Sequence, residues 1–166
     1  MWGPQNDARN VLLRPAPDIG GGGIEVAVTV ENAPTNQYEQ VDLVWYLNDS
    51  NMVKLGEELV DGKLSVVMGR EENDKTRTIS ITPLDTTRVR LRLQVETNRI
   101  TGSFQTSTTK PWQQVGACEP PEAPTPGKIT PKVSLQFYQG APGIEHWARV
   151  TDFRINRMAV RHGFEP

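Results

Sequence analysis

Tyr46, Lys54, Glu58, Arg90, Arg92, Gln94, Ser134, Gln136 and Tyr138 all occupy alternate positions in runs whose other positions are apolar. In a strand that spacing puts them on one face. Long polar side chains fixed on a sheet give donors and acceptors in set places, and tyrosine rings offer flat apolar surface. Together these suit a polyhydroxylated ligand, whose hydroxyls need partners and whose C–H faces stack on rings. The competing reading is a solvated sheet face laced by cross-strand charge pairs, such as Glu58 with an arginine. Arg88, Arg90 and Arg92 favour a site, because like charges on one face repel unless carboxylates or a ligand offset them.

His146-Trp147 is a second candidate pair for ligand binding. A lone histidine is more often structural, and the burial tendency of tryptophan places Trp147 as a core plug; Trp45 is expected in the core, and Trp2 and Trp112 are weighed the same way. Catalytic patterns are missing. A retaining glycosidase needs two carboxylates close together on one face, and no strand carries acids at i, i+2 and i+4. Glu57 and Glu58 are adjacent and so point to opposite faces, while Glu71, Glu72 and Asp74 fall in an expected turn. Cys118 has no evident histidine partner, so nothing supports a nucleophile there. Two histidines and one cysteine do not make the usual zinc site. The expected cofactor is none. Calcium bound by loop oxygens near Asp7 or Asp49 is the one metal allowed for, against the commoner reading of an Asx turn. The Gly20–Gly23 run lacks the Lys-Ser/Thr of a phosphate loop and reads as a turn.

The elements that must position these residues are all strands. In 40–58, Leu43, Trp45 and Leu47 alternate with Asp42, Val44 and Tyr46; Asn48-Asp49-Ser50-Asn51 turns the chain, and alternation resumes. Val11-Leu12-Leu13 is a short strand ended by Pro15 and Pro17. Ile24 to Val30 reads as a strand with one wet face, and Asp61-Gly62 as a two-residue hairpin turn into Lys63–Arg70. An acidic turn over 71–74 leads to Thr76–Ile81, and Arg88–Glu96 is a long alternating run. Ile100–Thr106, Trp112–Gly116, the alternation around Val133 and a last strand over His146–Val160 complete about eleven. Glu119 to Pro131, with five of the 13 prolines, is a loop. This pattern predicts an all-β protein, a two-sheet antiparallel jelly-roll sandwich over 1–166 as one domain. The expected core is Ile24, Val26, Val28, Val30, Leu43, Val53, Leu55, Val89, Leu91, Leu93, Phe104, Val133, Leu135 and Phe153.

Composition narrows the partners. Net charge is -2 and 23% of residues are charged, without the basic excess that a nucleic-acid or membrane partner would favour. One cysteine cannot form an internal disulfide. No apolar run of about 20 residues exists, and MWGPQNDARN lacks the apolar core of a signal peptide. The default compartment is therefore cytoplasmic, unless a signal was removed.

The segments NDARNVLLRPAP, YEQVDLVWYLNDSNMVKLGEELVDGKLSVVMGREE, RVRLRLQVETNRITGSFQ, WQQVG and GIEHWARVTDFRI follow one another across nearly the whole chain. In this order they resemble the concanavalin A-like lectin/glucanase-type domain at the C-terminus of β-xylosidases and arabinofuranosidases, and a related domain of unknown function. The hairpin carrying Asn51 and Lys54, and the closing His146-Trp147 with Asp152-Phe153, are its more specific features. The resemblance implies a lectin-like sandwich, often accessory to a separate glycosidase domain. The chain departs from it in lacking a further first strand and an upstream catalytic propeller, and in having Gly20–Ile24 where an acid-plus-tryptophan entry is usual. The expectation is a non-catalytic module binding an oligosaccharide or polysaccharide on the polar face of one sheet. The alternatives are a protein-interaction or regulatory protein of the same fold, and a glycoside hydrolase with unrecognised carboxylates. The absent first strand leaves an edge that a second copy could cover, giving a homo-oligomer.

Overall fold

A computed structural model describes residues 2–4, 9–122 and 129–159. Eleven strands run in order: β1 (Asn10–Pro15), β2 (Ile24–Glu31), β3 (Gln40–Asn48), β4 (Asn51–Val60), β5 (Lys63–Glu72), β6 (Lys75–Pro83), β7 (Arg88–Val95), β8 (Ile100–Gln105), β9 (Gln113–Cys118), β10 (Lys132–Tyr138) and β11 (Arg149–Arg157). They form a six-stranded sheet, β1-β10-β3-β4-β5-β6, and a five-stranded sheet, β11-β2-β7-β8-β9, and every pairing is antiparallel. The two sheets stack as a β-sandwich.

Two-residue turns join the strands of the central meander β3–β6, and bulges between Tyr46 and Asn48 and at Met68/Gly69 shift the register of β3–β4 and β5–β6 beyond them. Asp49-Ser50 joins β3 to β4. Asp61-Gly62 and Asn73-Asp74 have positive φ at both positions, the geometry that matches the twist of the strands they connect. The inner faces meet in one core. Leu43 and Trp45, Val53 and Leu55, and Val66 and Met68 come from the six-stranded sheet; Val26, Val28, Leu91, Leu93 and Phe104 come from the other. All the expected core residues belong to this cluster, with Leu135 and Phe153 only partly buried at its margin.

Three expectations change. Glu71 and Glu72 belong to β5, because the turn is the Asn73-Asp74 pair alone. The last strand begins at Arg149, after a loop with left-handed backbone at Gln139 and Gly143; His146 and Trp147 precede it, and residue 160 lies outside the described residues. The second face of β2 is not wet, since Ala27 and Thr29 are buried. Their cross-strand neighbours on β7 are Arg92 and Arg90, whose long aliphatic stems roof small side chains. The expected N-terminal loop and the 119–131 loop fall partly outside the described residues, as does Asp7.

Candidate functional site

The outer face of the six-stranded sheet carries a polar grid set by register. One row is Tyr138, Gln40, Glu58 and Ser65; the next is Gln136, Asp42, Gly56 and Val67; the third is Ser134, Val44, Lys54 and Gly69; the last includes Tyr46, Met52 and Glu71. Six of the residues expected at a site, Tyr46, Lys54, Glu58, Ser134, Gln136 and Tyr138, therefore share this face. Most of the grid is buried. The N-terminal segment lies across part of it: the Trp2 ring packs on Gly69, and Lys54 Nζ stands 4.6 Å from the ring centroid. The Gly3 amide donates to Glu71 Oε1 at 2.9 Å.

Lys54 organises the middle of the grid. It donates to Gln40 Oε1 and, at 3.2 Å, to Glu58 Oε2. Glu58 thus pairs with a lysine of its own strand rather than with an arginine. Neither oxygen of Asp42 has a partner, and the carboxylate lies over Gly56. Burial pushes its pKa up to about 7, Lys54 pulling it down and the Glu58 charge adding to the rise. Burial likewise raises Glu71 to about 7, against the opposing Gly3 amide, and its Oε2 is unpartnered. Gln136 donates to Ser134 Oγ at 3.1 Å while its Oε1 is unpartnered. Tyr46 donates to Asp49 at 2.8 Å; burial first, then that carboxylate, lifts its phenol above the ordinary range. Burial and nearby carboxylates raise Tyr138 in the same direction.

Asp42, Gln40 and Glu71 went unrecognised in the sequence. Part of their signal was the register: the Asp61-Gly62 turn pairs β4 with β5 so that Lys54 and Glu71 share a face, whereas Asp42 joins them only through the bulge between Tyr46 and Asn48, which no turn residue announces.

The grid opens at one end into a cleft of about 280 Å³, where Gln40 and Tyr138 meet the loop before β11. His146 lines this cleft. Its Nδ1 lies 2.6 Å from Glu39 Oε1, and Glu39 Oε2 accepts the amides of Thr35 and Asn36 at 2.8 and 3.1 Å. Burial would raise Glu39, but those amides and the His146 contact outweigh it and hold the carboxyl below its usual value. Trp147 stands on the rim, 80% exposed, so it does not plug the core; with its neighbours in the loop ahead of β11, nothing directs it inward. Asn10 and Asn32 complete the polar lining, and the buried Asn32 Nδ2 has no partner.

Arg90, Arg92 and Gln94 do not join this face. They lie on the outer face of the five-stranded sheet, on the far side of the sandwich, so no single groove contains Arg92 and Gln136. There the arginine stripe is offset. Arg88 pairs with Glu31 at 3.2 Å and Arg92 with Glu25 at 3.4 Å; Gln94 donates to the same Glu25 at 3.4 Å. Arg92 and Arg90 stack on Trp112 at 4.2 and 5.1 Å. Cys118 is buried, and burial raises its thiol to about 11, which disfavours the nucleophilic thiolate. Among the described residues no three His, Cys, Asp or Glu side chains gather as a metal site.

No family model and no curated protein matches this sequence. Solved structures share its fold. The GH43 BlXynB protein from Bacillus licheniformis superposes with a TM-score of 0.77 at 17% identity, covering 89% of this chain and 29% of that one. A xylan β-1,4-xylosidase from Bacillus halodurans C-125 gives 0.71 at 18% identity, covering 81% and 27%. A functionally unknown protein from Saccharomyces cerevisiae gives 0.66 at 15% identity, covering 90% and 74%. This chain spans less than a third of the length of the two bacterial chains. At such identities the likeness is one of fold.

Proposed function

We propose that this chain is a non-catalytic carbohydrate-binding module of the concanavalin A-like type, accessory to a glycosidase, that holds an oligosaccharide in the cleft between Trp147 and Tyr138. The observation that carries this reading is the exposed Trp147 ring beside a cleft of immobilised polar groups. Exposing an indole to water is unfavourable for a folded chain alone, and a sugar ring stacked on it would recover that surface. His146 is held in place by Glu39, while Asn10 and Asn32 bring amide groups to the wall. Such fixed groups bind hydroxyls without first losing rotamer freedom. Behind the cleft, the bonds from Lys54 to Gln40 and Glu58, and from Gln136 to Ser134, hold the wall rigid. The fold shared with part of a GH43 protein and part of a xylan β-1,4-xylosidase supports the same reading.

Titration with xylo-, arabino- and gluco-oligosaccharides tests it. Saturable binding that weakens tenfold or more in Trp147→Ala, with thermal stability unchanged, is the expected result. No binding of any neutral sugar by the folded protein overturns it.

A second reading, a glycoside hydrolase, draws on one observation. Asp42 and Glu58 are diagonal neighbours on one face, and the Glu58 charge helps lift Asp42 towards a general acid's range. Release of aryl leaving groups from xyloside or arabinofuranoside substrates, abolished by Asp42→Asn, would favour it.

A further inference from the structure

On the outer face of the five-stranded sheet lies a cleft of about 520 Å³, bounded by Arg88, Arg90, Gln105, Thr108, Asp152 and Arg154. Its charges are unevenly satisfied. Arg88 and Arg92 are matched by Glu31 and Glu25. Among the described residues, Arg90 and Arg154 have no carboxylate partner. Arg90 is nonetheless immobile: Nη1 donates to the buried Gln105 Oε1 at 2.6 Å, and its plane sits over Trp112 at 5.1 Å. Gln105 is itself anchored by the Lys110 carbonyl. A guanidinium held on one edge and one face presents its remaining donors in a fixed fork, the geometry that takes a carboxylate.

One wall of the cleft is built by a bulge. Pairing of β11 with β2 skips Asp152 and Phe153, and Asp152 adopts left-handed backbone at φ 54. This places the Asp152 carboxylate in the cleft, where Oδ2 accepts from Thr29 Oγ1 at 3.3 Å and Thr151 Oγ1 at 3.5 Å. It bonds hydroxyls here, and no arginine. The cleft thus joins two unmatched guanidiniums to a carboxylate and a set of hydroxyls.

We propose that this cleft binds an acidic saccharide, a uronate whose carboxylate sits on Arg90 and Arg154 and whose ring hydroxyls meet Asp152 and Thr108. Charge pattern selects this class over phosphate polymers. Asp152 within the cleft and Glu31 near it repel a dense run of phosphates, whereas one carboxylate flanked by hydroxyls finds a partner for each group. The site stands apart from the Trp147 cleft, on the other sheet, and does not depend on it.

The test is calorimetric titration of the full chain with glucuronate and galacturonate oligosaccharides and with neutral glucose and galactose oligosaccharides of equal length. The acidic sugars are expected to bind at least tenfold tighter. Arg154→Ala, at an exposed position that does not threaten folding, should weaken them at least tenfold, as should Arg90→Ala and Asp152→Asn. Trp147→Ala should leave them unchanged, which separates this site from the other cleft. Equal binding of acidic and neutral sugars by Trp147→Ala, in which the other cleft is disabled, overturns the proposal. So do unaltered binding in Arg154→Ala, competition by polyphosphate as strong as by the uronate, and no binding at all.

Discussion

The carboxylate of Asp42 occupies the space that a β-carbon on Gly56 would need, directly across the β3–β4 pair. The glycine lets a buried acid lie flat on the sheet within the field of Lys54. Gly56→Ala must push that acid, or the nearby Val41 carbonyl, out of place, at a cost of about 2 kcal/mol. Asp42→Ala removes one of the two obstructions. In denaturant unfolding the double variant should be more stable than the sum of the single changes predicts, by at least about 1 kcal/mol. Strict additivity would show that the two do not share that space.

Protonation of the buried acids sets a pH dependence. Glu57 faces the core between Val41 and Val66, has no partner for either oxygen, and burial raises it to about 8. Asp42 and Glu71 rise to about 7. For an acid raised on folding, the native state binds the proton more tightly than the unfolded chain. Stability is then full below the unfolded values near 4 and is lost as pH climbs through 7 to 8. The thermal midpoint should fall between pH 5 and pH 8, with a loss of about 2 kcal/mol or more. Glu57→Gln should flatten this fall throughout, most visibly between pH 7 and pH 8, where Asp42 and Glu71 add little.

Lys54 is the cation that serves three acceptors' surroundings at once. Lys54→Ala leaves Glu58 and Gln40 without their donor and removes the charge that restrains Asp42, so it should destabilise by about 3 kcal/mol. The loss should be larger at pH 8 than at pH 5, where Asp42 is protonated. A pH-independent loss would assign the effect to packing with Trp2 instead.

Trp147 should behave in the opposite way. At 80% exposure its replacement by alanine is expected to change stability by no more than about 0.5 kcal/mol. Glu39→Ala, by contrast, releases two loop amides and His146, and should cost about 1–3 kcal/mol while blurring the cleft. Comparing the two by thermal melts and sugar titration separates a ligand contact from a positioning residue.

The strands were legible because each carries period-2 alternation bounded by turn residues, as in Val89 to Val95. What alternation cannot reveal is which strands become neighbours. β10 lies beside β3, and β11 beside β2, through pairings that join distant parts of the chain. Hence Arg92 and Gln136 look alike in sequence, yet lie on opposite outer faces. Glu71 was misplaced for a local reason: four polar residues hide a two-residue turn, and only the left-handed Asn73-Asp74 pair marks where β5 ends. Trp147 misled because residue type suggests burial, whereas a loop position decides against it.

The three two-residue turns of the β3–β6 meander also bear on how the chain comes together. Asp42, Lys54, Glu58 and Glu71 lie on consecutive hairpins, which close over short loops and at small entropic cost. β10 and Trp2 arrive from far along the chain. The acids can therefore assemble while still hydrated, and their dehydration belongs to the late docking of these distant pieces. Refolding should then slow as pH rises towards 8, when the last step must strip water from charged rather than protonated carboxyls.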